Sequence, residues 1–571
     1  MNQKLENILN VSLDATEDEL RKADSLSTGY NWRDNTWEII VKYSGSLESI
    51  RNRYNVYIKE LLNYYAIIVA DKATIELISQ EDVIDYVEKP KSLYYQIERT
   101  KTAACVGSVR ADGNILSGKG VIVGVIDTGI DIFDNAFRNS DGTTRILNIY
   151  DQTTGEKYDK QSIDEYIRLN EDLSGGTFSY DNAPGVDNIM HGTDVSYIAA
   201  GSLGVAYEAD IIAVKMGYSI NNQFPRTTSL MDAIDYIIRK AIEYRKPVAV
   251  NISYGCNYGA HNGNTLLESF IDDISKSYRC VICVGSGNEA DKAIHFGGII
   301  NTGQVQTAYL SVGEYQSAID IQIWKNYWDT IDVMLINPRG EQIGIITEGR
   351  INRYETYNTE IITLLGEPSP YNIYQEIYIN LIPKTDYILS GIWQIVLMAG
   401  SIRAGEYNIW LPSSQALGYA TAFNNPTADG TITIPATARN CIAVGAYNAY
   451  TNSYAAFSGR GFDNSIRNVN AGVKPDITAP GVDISIARQR GNDITYRNVT
   501  GTSYAVPVVT GAAALLMQWG IVMGNDRFMY GEKLKAALML GLHETIISQT
   551  RVQAGERCVL RIRLIKFYKS S

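Results

Sequence analysis

Ser503 lies in the stretch GTSYAVP, which a small, apolar, helix-like run follows. Two roles fit a serine in that place. It can cap a buried helix, because its hydroxyl satisfies backbone N–H groups that lack a partner within the helix. It can instead be a nucleophile at the helix head, where backbone donors favour a developing negative charge. The second role requires a base, an acid that orients the base, and an oxyanion donor elsewhere in the chain. Three further motifs carry those residue types. VIDTGID places Asp127 at the end of a Val/Ile-rich run, and HGTDVSYIAAG places His191 at the start of a small-residue helix pattern. VGSGNEA places Asn288 at the end of another apolar run. Each motif alone is weak, since strand ends often carry Asp or Asn and helix starts often carry His or Ser. The ordered set Asp, His, Asn, Ser is hard to obtain by chance.

The elements around these motifs read as an α/β fold. GVIVGVIDTG, ADIIAVKM (209–216), PVAVNISYG (247–255) and CVICVGSGN (280–288) are the kind of run that forms strands buried on both faces. Helical stretches such as SLMDAIDYIIRKAIEY (229–244) alternate with them. That alternation predicts a doubly wound, mainly parallel sheet with polar residues at its carboxyl edge. Residues 31–96 read as a small α+β unit: strands at 37–45 and 65–70, two helices, and a closing extended segment that ends in SLYYQ. Between 296 and 425 the pattern becomes strands alone, with many aromatics, which predicts an inserted antiparallel β-sandwich of jelly-roll type. The expected organisation is therefore 1–96, an N-terminal domain; 97–295 and 426–545, two parts of the α/β domain; 296–425, the insert; and 546–571, a tail.

Composition narrows the chemistry. The chain of 571 residues has a net charge of −12, which argues against nucleic acid as a partner, since that calls for a basic face. No run approaches the roughly eighteen apolar residues of a membrane span. The start, MNQKLENILN, has no apolar core of a secretory signal. Six cysteines are too sparse for a disulfide framework, and Cys280 and Cys283 read as small apolar residues of a buried strand rather than a redox or zinc pair. Of the four histidines, His261 in YGAHNG reads as an exposed loop residue and His295 as structural. No metal constellation is legible.

Asp-Thr-Gly, His-Gly-Thr, Gly-Asn and Gly-Thr-Ser-x-Ala-x-Pro resemble the motifs of the subtilisin-like (subtilase) serine proteases, whose triad runs Asp, His, Ser in chain order. In architecture the chain is most similar to the clostridial Csp germination proteases, with a prodomain and an inserted jelly roll. The resemblance implies a triad of Asp127, His191 and Ser503, with Asn288 and the Ser503 backbone N–H as oxyanion donors. It implies that Ser253, Tyr254 and Gly255 form a substrate-binding edge strand, and that Gly285 and Gly287 shape the adjoining pocket. Gly192 and Gly287 are expected to permit close backbone approach.

By the same resemblance, residues 1–96 act as folding assistant and bound inhibitor, and autoprocessing falls near Gln96–Ile97. The implied partners are a protein substrate, such as the pro-form of a spore-cortex hydrolase, and the chain's own prodomain. The implied location is the cytoplasm or the spore. Subtilases often bind calcium, but no such site or other cofactor is identified in the residues. A non-catalytic scaffold within the same pathway and a general intracellular subtilase are the competing readings. All three triad members are present, which favours the enzyme. Relatives close with a Tyr-Pro-Asn segment, whereas here LKAALMLGLH runs into a basic tail of a different kind.

Overall fold

A computed structural model describes residues 2–96, 116–173, 183–217, 224–344, 346, 350–462, 473–490 and 493–540. The Val/Ile-rich runs form the centre of a nine-stranded sheet. From one edge its strands are Ser453–Tyr454, Ile442–Asn448, Cys280–Gly285, Val248–Ile252, Ile122–Asp127, Asp210–Lys215, Ile146–Asp151 and Glu156–Asp159, with Ile477–Pro480 also paired to Ile442–Asn448. All pairings are parallel except those of Glu156–Asp159 and Ser453–Tyr454. Buried on both faces, the strands send alternate side chains to opposite layers. Val123 and Val125 join the core under helices His191–Ala200 and Thr502–Met517. Ile122 and Ile126 join the core under Thr227–Tyr244 and Leu266–Ser277. This is the doubly wound α/β arrangement expected.

The chain leaves Ile122–Asp127 toward one side of the sheet, then returns to add Val248–Ile252 on the other. The carboxyl end of Ile122–Asp127 is thus the switch point, where open α/β sheets leave a crevice. Asp127 is its last residue.

The helix Thr502–Met517 is buried along its whole length. Together with Gln518–Val522 it is long and apolar enough to cross a membrane, yet it runs through the protein core. Its first cap is Gly501, at φ 147°, not Ser503, which lies inside the first turn. The capping role considered for Ser503 is therefore filled by a residue whose backbone angle favours glycine. Pro507, within the helix, has no N–H to give to the carbonyl of Ser503. That carbonyl instead accepts the hydroxyl of Ser253 at 3.3 Å, which ties the serine helix to the edge strand.

The insert is a sandwich of a six-stranded and a five-stranded antiparallel sheet, spanning His295–Phe423. The N-terminal unit has four long antiparallel strands, Thr36–Tyr43, Tyr57–Leu61, Tyr65–Ala70 and Ile84–Glu88, with helices Glu48–Tyr54 and Lys72–Ser79. Its sheet lays Ile40, Tyr65 and Ile67 on the helices of the α/β domain, where Tyr65 meets Phe270 edge-on at 5.2 Å.

Three short helices over Asn7–Ser27 went unread in the sequence. They fold because Thr16 and Glu19 cap one another and because Leu9, Val11 and Leu26 are fully buried. They seat the unit on the insert, sharing a core with Ile362, Leu364 and Tyr378, and Arg353 pairs there with Asp14 and Glu19 at 2.8 Å.

Where the N-terminal unit turns toward the crevice, Lys91 is buried between Glu6 at 2.8 Å and Glu88 at 2.7 Å. Glu88 also accepts the backbone N–H of Leu266 at 2.9 Å. Burial pushes the neighbouring Lys89 down to about 7. Losing the cation at 91 would leave two carboxylates buried without their partner. Lys91→Met is expected to lower stability by about 3–5 kcal/mol, read from urea denaturation; a loss under about 1 kcal/mol would contradict this account.

Candidate active site

Asp127 and His191 reach one another from the two elements that start and cover the switch point. The His191 Nδ1 lies 2.6 Å from Asp127 Oδ1, with both side chains about 1% exposed. The helix head holding His191 is itself anchored, since Asp187 accepts Thr193 N at 2.8 Å and Thr128 Oγ1 donates to Asp187 at 2.7 Å. One turn along, buried Asp194 is neutralised by Arg488 and by Arg497, the latter at 2.5 Å. Burial works against a charged His191 ring. The facing Asp127, with Asp194 and Asp187 behind, more than offsets it and raises the imidazole above its ordinary value. The Nε2 of His191, on the other side of the ring, is buried and has no hydrogen-bond partner among the described residues.

Ser503 is fully buried, because the chain's own residue 96 covers it. Tyr94 and Tyr95 pair antiparallel with Gly255 and Tyr254, and Gln96 N donates to Ser253 O at 3.3 Å. That register delivers the Gln96 carbonyl to the serine. Its oxygen accepts Ser503 Oγ at 2.6 Å and Ser503 N at 3.3 Å. Asn288 is held by its carbonyl, which accepts Thr502 N at 3.1 Å and Thr502 Oγ1 at 3.0 Å. Its amide nitrogen is buried without an acceptor among the described residues. A free donor beside a helix head suits an oxygen that gains charge.

The Gln96 side chain fills a polar slot. Its Nε2 donates to Gly285 O at 3.1 Å and Thr433 Oγ1 at 3.0 Å, while Thr502 Oγ1 lies 3.4 Å from Oε1. A Cβ at 285 would collide with that oxygen, so the glycine leaves the slot open for the Gln96 amide as it is seated here. Gly287, at φ 95°, sits against Thr433 on the same wall.

The structure thus gathers Asp127, His191, Ser503, Asn288, Ser253, Tyr254, Gly255, Gly285, Gly287 and Gln96 at one crevice. Ile97 lies outside the described residues, as do His543 and the tail 546–571. Thr433 and Thr502 were missed as slot residues. Thr502 stands next to Ser503, but Thr433 enters from the irregular segment between the insert and strand Ile442–Asn448 and has no local signature. His261 is a correction. It is buried, donates from Nδ1 to Ile432 O at 2.6 Å, and stacks on Trp410 at 4.2 Å, since the insert closes over the loop that carries it. Cys280 and Cys283 are buried free thiols on the sheet. Among the described residues no group of three or more His, Cys, Asp or Glu could share an ion.

A subtilase family model matches residues 118–368 and 404–545, and the chain belongs to this family of serine peptidases. A Csp protease B prodomain model matches residues 3–91. The chain is similar to the Clostridium perfringens CspB protease structure, at 33% identity over 77% of this chain and 91% of that one, with a TM-score of 0.71. Among curated proteins, the subtilase-type proteinase RRT12 of Saccharomyces cerevisiae is 33% identical over 22% of this chain. Subtilisin E of Bacillus subtilis is 38% identical over 20%. Those alignments span 23% and 28% of the two relatives' own lengths.

The raised His191 value fixes the direction of its pH dependence. The ring's contribution to folding is fully present below the unfolded imidazole value, and is lost as pH rises through the folded one. Chemical-shift titration of the histidines should place His191 above the ordinary imidazole midpoint, and Asp127→Ala should bring it down. A midpoint at or below the ordinary value would contradict the offset by Asp127.

Proposed function

We propose that this chain is an endopeptidase that first cuts itself after Gln96 and then cleaves a protein after a glutamine. The observation that carries the reading is the 2.6 Å contact of Ser503 Oγ with the Gln96 carbonyl oxygen. Ser503 Oγ attacks the Gln96 carbonyl carbon as its proton passes to His191 Nε2. Asp127 holds the imidazole tautomer and stabilises the imidazolium. The oxyanion takes the Ser503 N–H and the free Asn288 amide. The C–N bond then breaks, His191 protonates the departing amine of residue 97, and water resolves the acyl-enzyme by the same route.

The slot supports a preference for glutamine before the cut. Both donated bonds of Nε2 end on oxygens, and a glutamate there would set its charge against Gly285 O without a proton to share. After cleavage, the prodomain surface on the catalytic helices and the insert supports its remaining as a bound inhibitor.

The likeness to the CspB protease and its prodomain supports a role in spore germination, with the pro-form of a cortex hydrolase as the protein cut and the spore as the place. Incubating that pro-form with the matured enzyme should give one new terminus following a glutamine. No cut, or a cut elsewhere, would set this substrate aside.

N-terminal sequencing of the purified chain should find a new terminus at residue 97, absent in Ser503→Ala; an intact wild-type chain would favour a non-catalytic scaffold. Gln96→Glu should slow this cleavage at least tenfold, whereas equal rates would refute the slot preference. Asn288→Ala should lower kcat on peptides by about 10²–10³, measured in steady state.

A further inference from the structure

A second cavity, of about 510 Å³, opens at the seam between the catalytic body and the insert, and none of the triad residues lines it. Its apolar walls come from both sides, with Trp324 and Ile373 from the insert and Ile432 and Phe462 from the catalytic body. Four cations and two acids face it. Lys474 and Lys535 are spent on Asp476, at 2.7 and 2.9 Å. The other acid, Glu406, accepts Asn408 Nδ2 at 3.1 Å. His261, also on the wall, has both ring nitrogens on backbone carbonyls.

Arg439 and Arg460 differ from these. Among the described residues the Arg439 guanidinium donates to Asn264 Oδ1, at 3.2 Å, and the Arg460 guanidinium stands 6.0 Å from the Tyr454 ring. Neither has a carboxylate partner among the described residues. Two guanidiniums without a carboxylate partner among the described residues therefore face an apolar recess, in a chain whose net charge is −12. Planar guanidinium forks suit carboxylate, sulfonate or phosphate oxygens, and the walls suit an apolar body.

We propose that this cavity is a binding site for a small amphipathic organic anion, its charged head on Arg439 and Arg460 and its body between Trp324, Ile373 and Phe462. Such a ligand touches both the insert and the catalytic body, so its binding also stabilises their seam. The site is independent of Ser503 and stands whether or not the chain cleaves itself.

Isothermal titration calorimetry on the full chain, with 2-naphthoate and the uncharged 2-naphthalenemethanol as probes, tests this. One saturable site is expected, at least tenfold tighter for the acid, weakening as salt rises, and accompanied by a higher melting temperature. Arg439→Gln/Arg460→Gln should cut affinity for the acid about ten- to hundredfold and leave the melting temperature of the free protein unchanged. Ser503→Ala should bind as the wild type does. Equal affinity for the alcohol, undiminished affinity in the double variant, or no saturable binding at millimolar probe would each overturn the proposal.

Discussion

The antiparallel pairing of Tyr94–Tyr95 with Tyr254–Gly255 is the contact through which the rest of the site acquires its geometry. Register along a strand is discrete, and a slip of one residue turns every side chain to the other face. With this register, Gln96 turns its side chain into the slot at Gly285 and its carbonyl onto Ser503. The covering chain also removes water from His191, so the Asp127 hydrogen bond acts in a dry environment, where it counts for more.

That register is held from a distance. The N-terminal unit lies on two helices of the catalytic domain through one face of its sheet, and on the insert through its three leading helices. Lys91, five residues before Gln96, is locked between Glu6 and Glu88. Glu6 belongs to the segment that leads into the helices on the insert, so the insert and the cleft are linked through a buried ion cluster. A buried pair of this kind contributes little net stability against an apolar substitute, but it penalises any other arrangement strongly. Its effect here is to make the approach to the cleft definite. The insert is accordingly part of the platform that seats the prodomain.

The serine helix shows how a buried element can also present a reactive group. Gly501 relieves Ser503 of the capping role, and Pro507 frees the Ser503 carbonyl for Ser253. The edge strand that receives residue 96 is thereby fastened to the helix that carries Ser503. Thr502 fastens Asn288 to the same turn as Ser503.

Much of this was legible in the chain itself. Apolar runs of Val and Ile announce strands buried on both faces, and chemistry-bearing residues at their ends stand out because little else there is polar. Asp127, His191, Asn288 and Ser503 and the parallel sheet could therefore be read locally, as could the extended segment ending in Gln96. What could not be read rests on contacts between distant segments. Tyr57–Leu61 alternates too weakly to declare itself a strand, and the helices of Asn7–Ser27 fold against an insert more than three hundred residues away, although the Thr16–Glu19 capping box was a local sign of one of them. His261 looks like a loop residue until Trp410, from the insert, stacks on it. Thr433 gains its place beside Gln96 only because the sheet brings a strand from beyond the insert next to Gly285. Local sequence sets which residues can do chemistry and which segments are strand or helix, since propensity and burial act over a few residues. Which surfaces meet was decided by tertiary packing, because complementarity between remote faces leaves no local periodic trace.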